Sequence, residues 1–201
     1  MSVSPLPIVM AVTGASGAPY AVRLLHAMAQ ASQPVWLIVS THGWRLLHTE
    51  CAIHDLHSLR AHVGEDVFDA CVTVFDDADR GATPASGSAR VRGMVIVPCS
   101  MGTIASIAAG TSRSLVERAA DVALKERRPL IVVPRETPFS RIHLENMLRL
   151  TDAGAVVLPA APGFYHQPQR IDQLVDFVVQ RILDHLHVEI EIAPRWGDSG
   201  E

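Results

Sequence analysis

Short apolar runs, separated by helical patterns, recur along the 201-residue chain and limit the folds open to it. Strands are predicted over residues 6–13, 34–40, 93–99, 129–134 and 155–158. Helical patterns lie between and after them, over 20–31, near 102–126, near 140–153 and over 171–186. The strand runs are apolar at successive positions, which is typical of strands buried on both faces. This order predicts an α/β fold in which a parallel sheet carries helices on both sides.

The stretch from 51 to 92 is less regular than the rest of the chain. We predict a helix near 55–62, a short strand over 72–75 and a loop over 76–88 that is rich in Asp, Gly, Ala and Ser. Because a length of 201 residues is typical of one domain, residues 1–201 are expected to form a single domain.

Composition and charge exclude several classes of protein. Hydrophobic residues make up 48% of the chain, which excludes disorder, and the net charge of −4 argues against nucleic-acid binding through bulk positive charge. No signal peptide is recognised, and no apolar run approaches the ~20 residues of a membrane helix. The three cysteines form no C-x-x-C pair, and the ten histidines, which we expect at the surface, form no metal-binding motif. We therefore expect a cytoplasmic protein without a metal ion.

Two turns rich in Ser and Gly follow predicted strands. Gly-Ala-Ser-Gly-Ala at 14–18 comes after the first strand, and Ser-Met-Gly-Thr at 100–103 comes after the strand that ends at 99. At the carboxyl ends of parallel strands, such turns present backbone N–H groups and helix N-termini to a ligand. Together with Ser40 they predict a nucleotide-like ligand, although each turn is also a plain strand-to-helix connection. The G-x-G-x-x-G fingerprint is absent, so NAD binding is not supported.

Charged and aromatic side chains lie after other predicted strands. Arg135 and Glu136 stand between two prolines after the strand that ends at 134, where an arginine can grip a phosphate and a carboxylate can exchange protons. Tyr165 follows the last strand, and Arg181 flanks the apolar stripe of the last helix. Lys125 belongs to a charged helix face. Each of these charges is also compatible with an ordinary solvated surface position.

In their order along the chain, these motifs resemble those of the flavin prenyltransferases of the UbiX/Pad1 family, and the resemblance covers essentially the whole chain. It is carried by TGASGA (13–18), ASGS (85–88), PCSMGT (98–103), ERAAD (117–121), LKERRPL (124–130), PRE (134–136), HLENM (143–147), PGFYH (162–166) and PRWG (194–197). One such turn is unspecific, but the whole series in this order is a strong signal.

The resemblance implies a flavodoxin-like sheet that binds FMN and assembles into a homododecamer, with the tail from about residue 188 packing on a neighbouring subunit. It implies a transferase that requires no metal. In the reaction that the resemblance implies, N5 of reduced FMN attacks C1′ of dimethylallyl phosphate with loss of phosphate, and C6 then closes a fourth ring. The product, prenylated FMN, serves a separate decarboxylase of the UbiD type.

The resemblance also implies roles for residues at matching positions. FMN would be held by Gly14, Ala15, Ser16, Ser40, Ser100, Met101, Gly102, Thr103 and Arg135. The prenyl phosphate would be held by Lys125, Arg135, Tyr165 and Arg181, and Trp196 would help to cover the allyl group. Ser16 and Glu50 would lie near the reacting flavin edge, and Glu136 would exchange a proton with the phosphate. Because cations around a phosphate stabilise a leaving dianion, one ligand accounts for all these charges.

The chain departs from the family in the loop over 76–88. Many family members carry an aromatic residue just before the segment that corresponds to 85–88. Alignment back from that segment puts Arg80 at this position, in an acidic stretch without aromatics. The departure changes what this loop can contribute over a flavin.

Two other functions are compatible with the same fold. A flavoprotein that oxidatively decarboxylates a C-terminal cysteine would share the fold and FMN, but its Pro-x-Met-Asn motif does not occur in this sequence. A non-catalytic accessory subunit would bind FMN alone. Such a carrier has no need of the second, phosphate-binding set of residues.

Overall fold

The computed structural model describes residues 5–195, and a six-stranded parallel sheet forms its centre. The strands are β1 (Ile8–Val12), β2 (Val35–Val39), β3 (Val72–Phe75), β4 (Gly93–Cys99), β5 (Leu130–Pro134) and β6 (Val156–Val157), in the spatial order β3-β2-β1-β4-β5-β6. Every residue of β1, β4 and β5 is buried, as their continuous apolar sequences predict. The predicted α/β, flavodoxin-like fold is confirmed.

Helices cover both faces of this sheet. Within residues 5–195 they are α1 (Ala18–Gln30), α2 (Thr41–Cys51), α3 (Leu56–Val63), α4 (Glu65–Cys71), α5 (Met101–Ala108), α6 (Leu115–Lys125), α7 (Arg141–Asp152) and α8 (Ile171–His185), with a short 3-10 helix over Thr83–Ala85. Successive side chains of β1 pack against the helices on opposite faces of the sheet. Ile8, Met10 and Val12 pack with α1, α3 and α8, whereas Val9 and Ala11 pack with α5, α6 and α7.

The helical pattern near 102–126 corresponds to two helices, α5 and α6, separated by residues 109–114. Gly110 and Ser112 have φ values of 67° and 48°, a left-handed conformation that ends a helix. The buried carboxylate of Glu117 then accepts a hydrogen bond from Arg113 N at 2.7 Å. These contacts turn the chain between two helices that the apolar periodicity alone does not divide.

Two helices, α2 and α4, carry no clear pattern in the sequence. Of the eleven residues of α2, Gly43 and Leu47 are the buried ones, so an apolar stripe is missing. The seven residues of α4 bury Phe68 alone. In the same irregular region, the predicted helix and strand are confirmed as α3 and β3.

The first part of the C-terminal tail lies along α8 of its own chain. The Gln180 side chain donates to Ile190 O at 3.1 Å and accepts from Ile192 N at 2.8 Å, and Val188 is buried against the core. Packing of the tail on a neighbouring subunit stays a prediction. Trp196 lies outside the described residues.

Features that would indicate other chemistry are few in the described part of the chain. Cys51, Cys71 and Cys99 are free thiols, and burial raises the pKa of Cys99, which keeps it protonated and unreactive at neutral pH. Between residues 5 and 195, no helix is long and apolar enough to cross a membrane. Over the same range, no group of His, Cys, Asp and Glu side chains could hold a metal ion.

Candidate active site at the carboxyl edge of the sheet

The carboxyl ends of β2, β1, β4 and β5 are neighbours in the sheet, and the chain leaves each strand through a polar turn. Thr13, directly after β1, joins two of these ends. Its hydroxyl donates to Pro98 O at 2.9 Å and accepts from Ser100 N at 2.9 Å. Chain order reverses here, because β1 lies between β2 and β4. Open α/β sheets bind their ligands in the crevice at such a switch point.

The turn after β1 fits tightly between its neighbours. A Cβ atom on Gly14 would lie 2.5 Å from the Cβ of His42, at the start of α2. Gly17 has a φ of +125°, which other residues rarely adopt. Gly14 is exposed, Ala15 is buried and Ser16 is half-buried. The turn therefore requires small residues, and part of its backbone remains open to a ligand.

Glu50, near the end of α2, contacts the N-terminus of α1. Its Oε2 accepts hydrogen bonds from Gly17 N and Ala18 N, both at 2.8 Å. A carboxylate in this position is stabilised by the helix dipole and satisfies amides that have no partner within the helix. The protein's own carboxylate therefore occupies these two amides of α1.

Arg135 brings the turn after β5 against the turn after β1. Its Nε donates to Ser16 O at 3.2 Å, and its side chain is exposed. Glu136 is half-buried, and its Oε1 accepts from Thr137 N at 3.0 Å within the same loop. Arg135 and Glu50 therefore both contact the turn that contains Ser16.

Ser40 and Ser100 open α2 and α5 at this edge. The Ser40 hydroxyl accepts from a backbone N–H in the first turn of α2 at 3.0 Å. The Ser100 hydroxyl accepts from Thr103 N at 3.2 Å and lies 2.9 Å from the Thr103 hydroxyl. Met101 is buried and Gly102 is exposed. Two capped helices thus begin at the crevice, where helix N-termini favour negative charge.

Lys125 lies at the opposite edge of the sheet. It ends α6, and the chain then enters the amino end of β5 at Leu130. Its ammonium pairs with Glu126. It also lies close to Gly87, since a Cβ atom added to that glycine would be 2.9 Å from Lys125 Nζ. The five residues of β5 span about 17 Å. One chain therefore does not bring Lys125 to Arg135, which follows the carboxyl end of the same strand.

The loop over 76–88 ends beside Lys125. Near its start, the Asp77 carboxylate accepts from Val116 N at 2.9 Å and caps α6. Near its end, Gly87 O accepts a hydrogen bond from Arg128, which immediately precedes β5. Residues 85–88 therefore lie near the amino edge of the sheet, and in this chain they do not cover the crevice between β1 and β4.

Tyr165 and Arg181 each lie near Phe177 of α8. The Tyr165 ring packs edge-on against Phe177 with 5.7 Å between the ring centroids, and Arg181 is one helical turn further along. Phe177 and Arg181 line a cavity of about 270 Å³ between α8 and β6. Because α8 and α6 pack on opposite faces of the sheet, this pair is separate from Lys125.

His166 corrects the expectation that the histidines lie at the surface. Both of its ring nitrogens are buried, and neither has a hydrogen-bond partner among residues 5–195. The ring stacks on Phe177 at an interplanar angle of 8° and a centroid distance of 5.7 Å. The sequence gives no signal for this aromatic cluster, because its members come from a loop and a helix.

A family model, a related sequence and a solved structure all relate this chain to the same group of proteins. The sequence model of the Flavoprotein family matches residues 2–183. Flavin prenyltransferase UbiX from Pseudomonas aeruginosa is 50% identical over 200 residues, which cover 97% of this chain and 96% of that protein. The crystal structure of a UbiX protein (PadA1) in complex with FMN and dimethylallyl pyrophosphate matches with a TM-score of 0.87 and 39% identity, over 96% of this chain and 97% of that one.

Other solved structures separate close relatives from distant ones. A dodecameric FMN-dependent UbiX-like decarboxylase from Escherichia coli O157:H7 matches with a TM-score of 0.86 and 40% identity, over 95% of this chain and 99% of that one. The FMN-dependent cysteine decarboxylase TvaF has a TM-score of 0.62 and 17% identity, over 90% of this chain and 98% of that one, and so shares the fold alone. The chain belongs to the Flavoprotein family and, within it, to the UbiX-type flavin prenyltransferases.

Proposed function

We propose that this chain joins the dimethylallyl group of dimethylallyl phosphate to N5 and C6 of reduced FMN. The prenylated FMN would serve a UbiD-type decarboxylase. The observation that carries the proposal is the match, over 96% of the chain, to a UbiX structure that contains both FMN and a dimethylallyl ester. The crevice at the carboxyl edge supports it, because residues from the turns after β1, β2, β4 and β5 meet there.

The crevice suits a flat flavin with one phosphate. Gly14 and Gly102 are exposed and small, which lets a planar ring approach the backbone. Glu50 already occupies the first amides of α1, so we assign the FMN phosphate to the helix starts at Ser40 and at Ser100 to Thr103. When bound, reduced FMN supplies the N5 and C6 atoms that form the new bonds.

The prenyl phosphate would be held by residues from more than one copy of the chain. Arg135 lies at the crevice, whereas Lys125 lies about one strand length, ~17 Å, away at the other edge of the sheet. A neighbouring copy can present its own Lys125 to the crevice, with residues 85–88 beside it. Cations from two chains would then stabilise the departing phosphate dianion. Tyr165 and Arg181 would complete this phosphate site.

Exposed apolar side chains support an oligomer. Phe139, Ile142, Leu144 and Leu148 lie on α7 or just before it, with exposed fractions of 42%, 67%, 53% and 61%. Apolar side chains gathered on one exposed element are typical of an interface between proteins. Because the Escherichia coli relative is dodecameric, a homododecamer is the assembly that we propose.

We assign proton transfer to the carboxylates that would lie beside the reacting groups. Glu50 contacts the turn that contains Ser16, and these two residues would take up the proton that C6 loses as the ring closes. Glu136 follows the phosphate-binding Arg135 and would exchange a proton with the leaving phosphate. Trp196, beyond the described residues, is proposed to cover the allyl group.

Mass spectrometry of the flavin tests this function. Purified protein is incubated with reduced FMN and dimethylallyl phosphate in the absence of oxygen. The flavin is then released and its mass is measured. We expect a flavin that carries one dimethylallyl unit, and FMN alone when the prenyl phosphate is omitted. Release of unmodified FMN from the complete reaction would contradict the proposal and favour the accessory-subunit alternative. Loss of CO₂ from a peptide with a C-terminal cysteine would favour the decarboxylase alternative.

A further inference from the structure

Asp184 lies between two arginines on the surface of α8. Arg181, one turn earlier on the helix, donates from Nη1 to Asp184 Oδ2 at 3.3 Å. Arg195, from the C-terminal tail, donates from Nη2 to Oδ1 at 2.9 Å and from Nη1 to Oδ2 at 3.2 Å. Gln180 adds a hydrogen bond to Oδ1 at 3.0 Å. A single carboxylate is therefore shared by two cations.

The two arginines hold Asp184 unequally. Arg195 contacts both carboxylate oxygens, the two-point geometry that makes arginine–carboxylate pairs strong. The tail that carries Arg195 is also fixed by the contacts of Gln180 with Ile190 and Ile192. Arg181 uses one nitrogen at a longer distance, and 56% of its side chain is exposed. Arg195 is thus the stronger partner by geometry, and the longer Arg181 contact is the one that a phosphate can replace.

The ionisation of Asp184 is set by these same contacts. Partial burial raises its pKa, but the hydrogen bonds from Arg195 and Gln180 and the charges of Arg195 and Arg181 outweigh this and lower it. The carboxylate is therefore charged at neutral pH with or without Arg181. If Arg181 leaves, Arg195 still neutralises it, so no buried charge is left without a partner.

We propose that Asp184 is a positioning residue for prenyl-phosphate binding: it holds the Arg181 side chain, which lines the same cavity as Phe177, until a phosphate replaces the Asp184 carboxylate as the partner of Arg181. This rests on the proposed function of Arg181. A guanidinium that is already ordered loses less side-chain entropy when it binds a phosphate than a freely rotating one. Arg195 and Gln180 support the arrangement by holding Asp184 itself.

The test is the substitution Asp184→Asn, which keeps the shape of the side chain and removes its charge. We expect the KM for dimethylallyl phosphate to rise about 3- to 10-fold, the range that corresponds to ordering one long side chain on binding. The kcat and the affinity for FMN should change less than about two-fold, because neither depends on the Arg181 contact. Asp184→Glu, which retains the carboxylate, should recover most of the lost affinity.

A double substitution separates positioning from general stability. In an Arg181→Ala background, Asp184→Asn should raise KM no further, since the residue that it positions is gone. Asp172→Asn is the matched control, because Asp172 lies on the same helix and pairs with the exposed Arg170. An unchanged or lower KM in Asp184→Asn would overturn the proposal, as would an equal rise with and without Arg181. Failure of the wild type to prenylate FMN would instead overturn the proposed function.

Discussion

The two edges of the sheet differ in how completely one chain builds them. At the carboxyl edge, turns from four strands contact each other through Thr13, Glu50 and Arg135, and most residues expected to hold FMN lie there. At the amino edge, Lys125 and the segment 85–88 contact each other but face no other predicted site residue within the described chain. The first edge is an assembled crevice, whereas the second carries one predicted site residue, Lys125, beside a loop.

This difference follows from the parallel topology. Turns that follow parallel strands meet at one edge, so a single chain can gather them. Lys125 instead ends the helix that leads into β5, which places it at the start of the strand that Arg135 follows. If both cations bind one phosphate, the two must come from different copies of the chain. The flavin half of the site would then be built within a chain and the phosphate half between chains.

Removal of the amino-edge cation should have the largest effect. Lys125→Ala is expected to lower kcat/KM for dimethylallyl phosphate about 10- to 100-fold, the loss of a charge-assisted contact of roughly 1.5–3 kcal/mol. The affinity for FMN, measured by flavin fluorescence, should be unchanged. Arg60→Ala is the control, since Arg60 is an ion-paired cation on α3 outside the predicted site. If Lys125→Ala lowered the affinity for FMN as much as it lowered kcat/KM, Lys125 would not belong to a phosphate site separate from the flavin site.

A substitution at the crevice should weaken the binding of FMN, which Lys125→Ala is expected to leave unchanged. Gly14→Ala places a Cβ atom 2.5 Å from the Cβ of His42, so α2 must shift away from the turn. We expect a destabilisation of about 1–3 kcal/mol, measured by urea unfolding, together with weaker FMN binding. Gly81→Ala, whose Cβ atom meets its nearest neighbour at 3.4 Å, should change neither quantity. Normal FMN affinity in Gly14→Ala would contradict the assignment of this turn to the flavin.

The smallest expected effect concerns a helix cap at the crevice. Ser100→Ala removes the hydroxyl that accepts from Thr103 N, which should cost about 1 kcal/mol of stability. Asp55→Ala removes the cap of α3, far from the predicted flavin residues, and should cost a similar amount. FMN affinity should fall only in Ser100→Ala. If isothermal titration finds the same affinity in both variants, the start of α5 does not bind FMN.

Much of the fold follows from the sequence because the buried strands have continuous apolar runs. All six strands and the long helices α1, α7 and α8 lie where the patterns predict them. The exceptions have physical reasons. α2 packs with Gly43 and Leu47 alone buried, so its sequence has no apolar stripe, and α5 and α6 are divided by backbone turns that apolar periodicity does not record.

The candidate site is predictable only where it depends on strand ends. The positions of Ser16, Ser40, Ser100 and Arg135 at one edge follow from strand boundaries and parallel pairing. The contact of Glu50 with the start of α1 does not, because it depends on the direction in which α2 leaves β2. The sharing of Asp184 by Arg181 and Arg195 likewise depends on how the tail returns along α8.

Co-expression of Lys125→Ala with Arg135→Ala tests directly whether the phosphate site is shared between chains. Each variant alone should retain only a small fraction of wild-type prenylation with dimethylallyl phosphate. In a randomly mixed oligomer, about a quarter of shared sites would combine an intact Arg135 from one chain with an intact Lys125 from its neighbour. We therefore predict recovery of about a quarter of wild-type prenylation in the mixture. No activity above that of the separate variants would contradict a site built between chains.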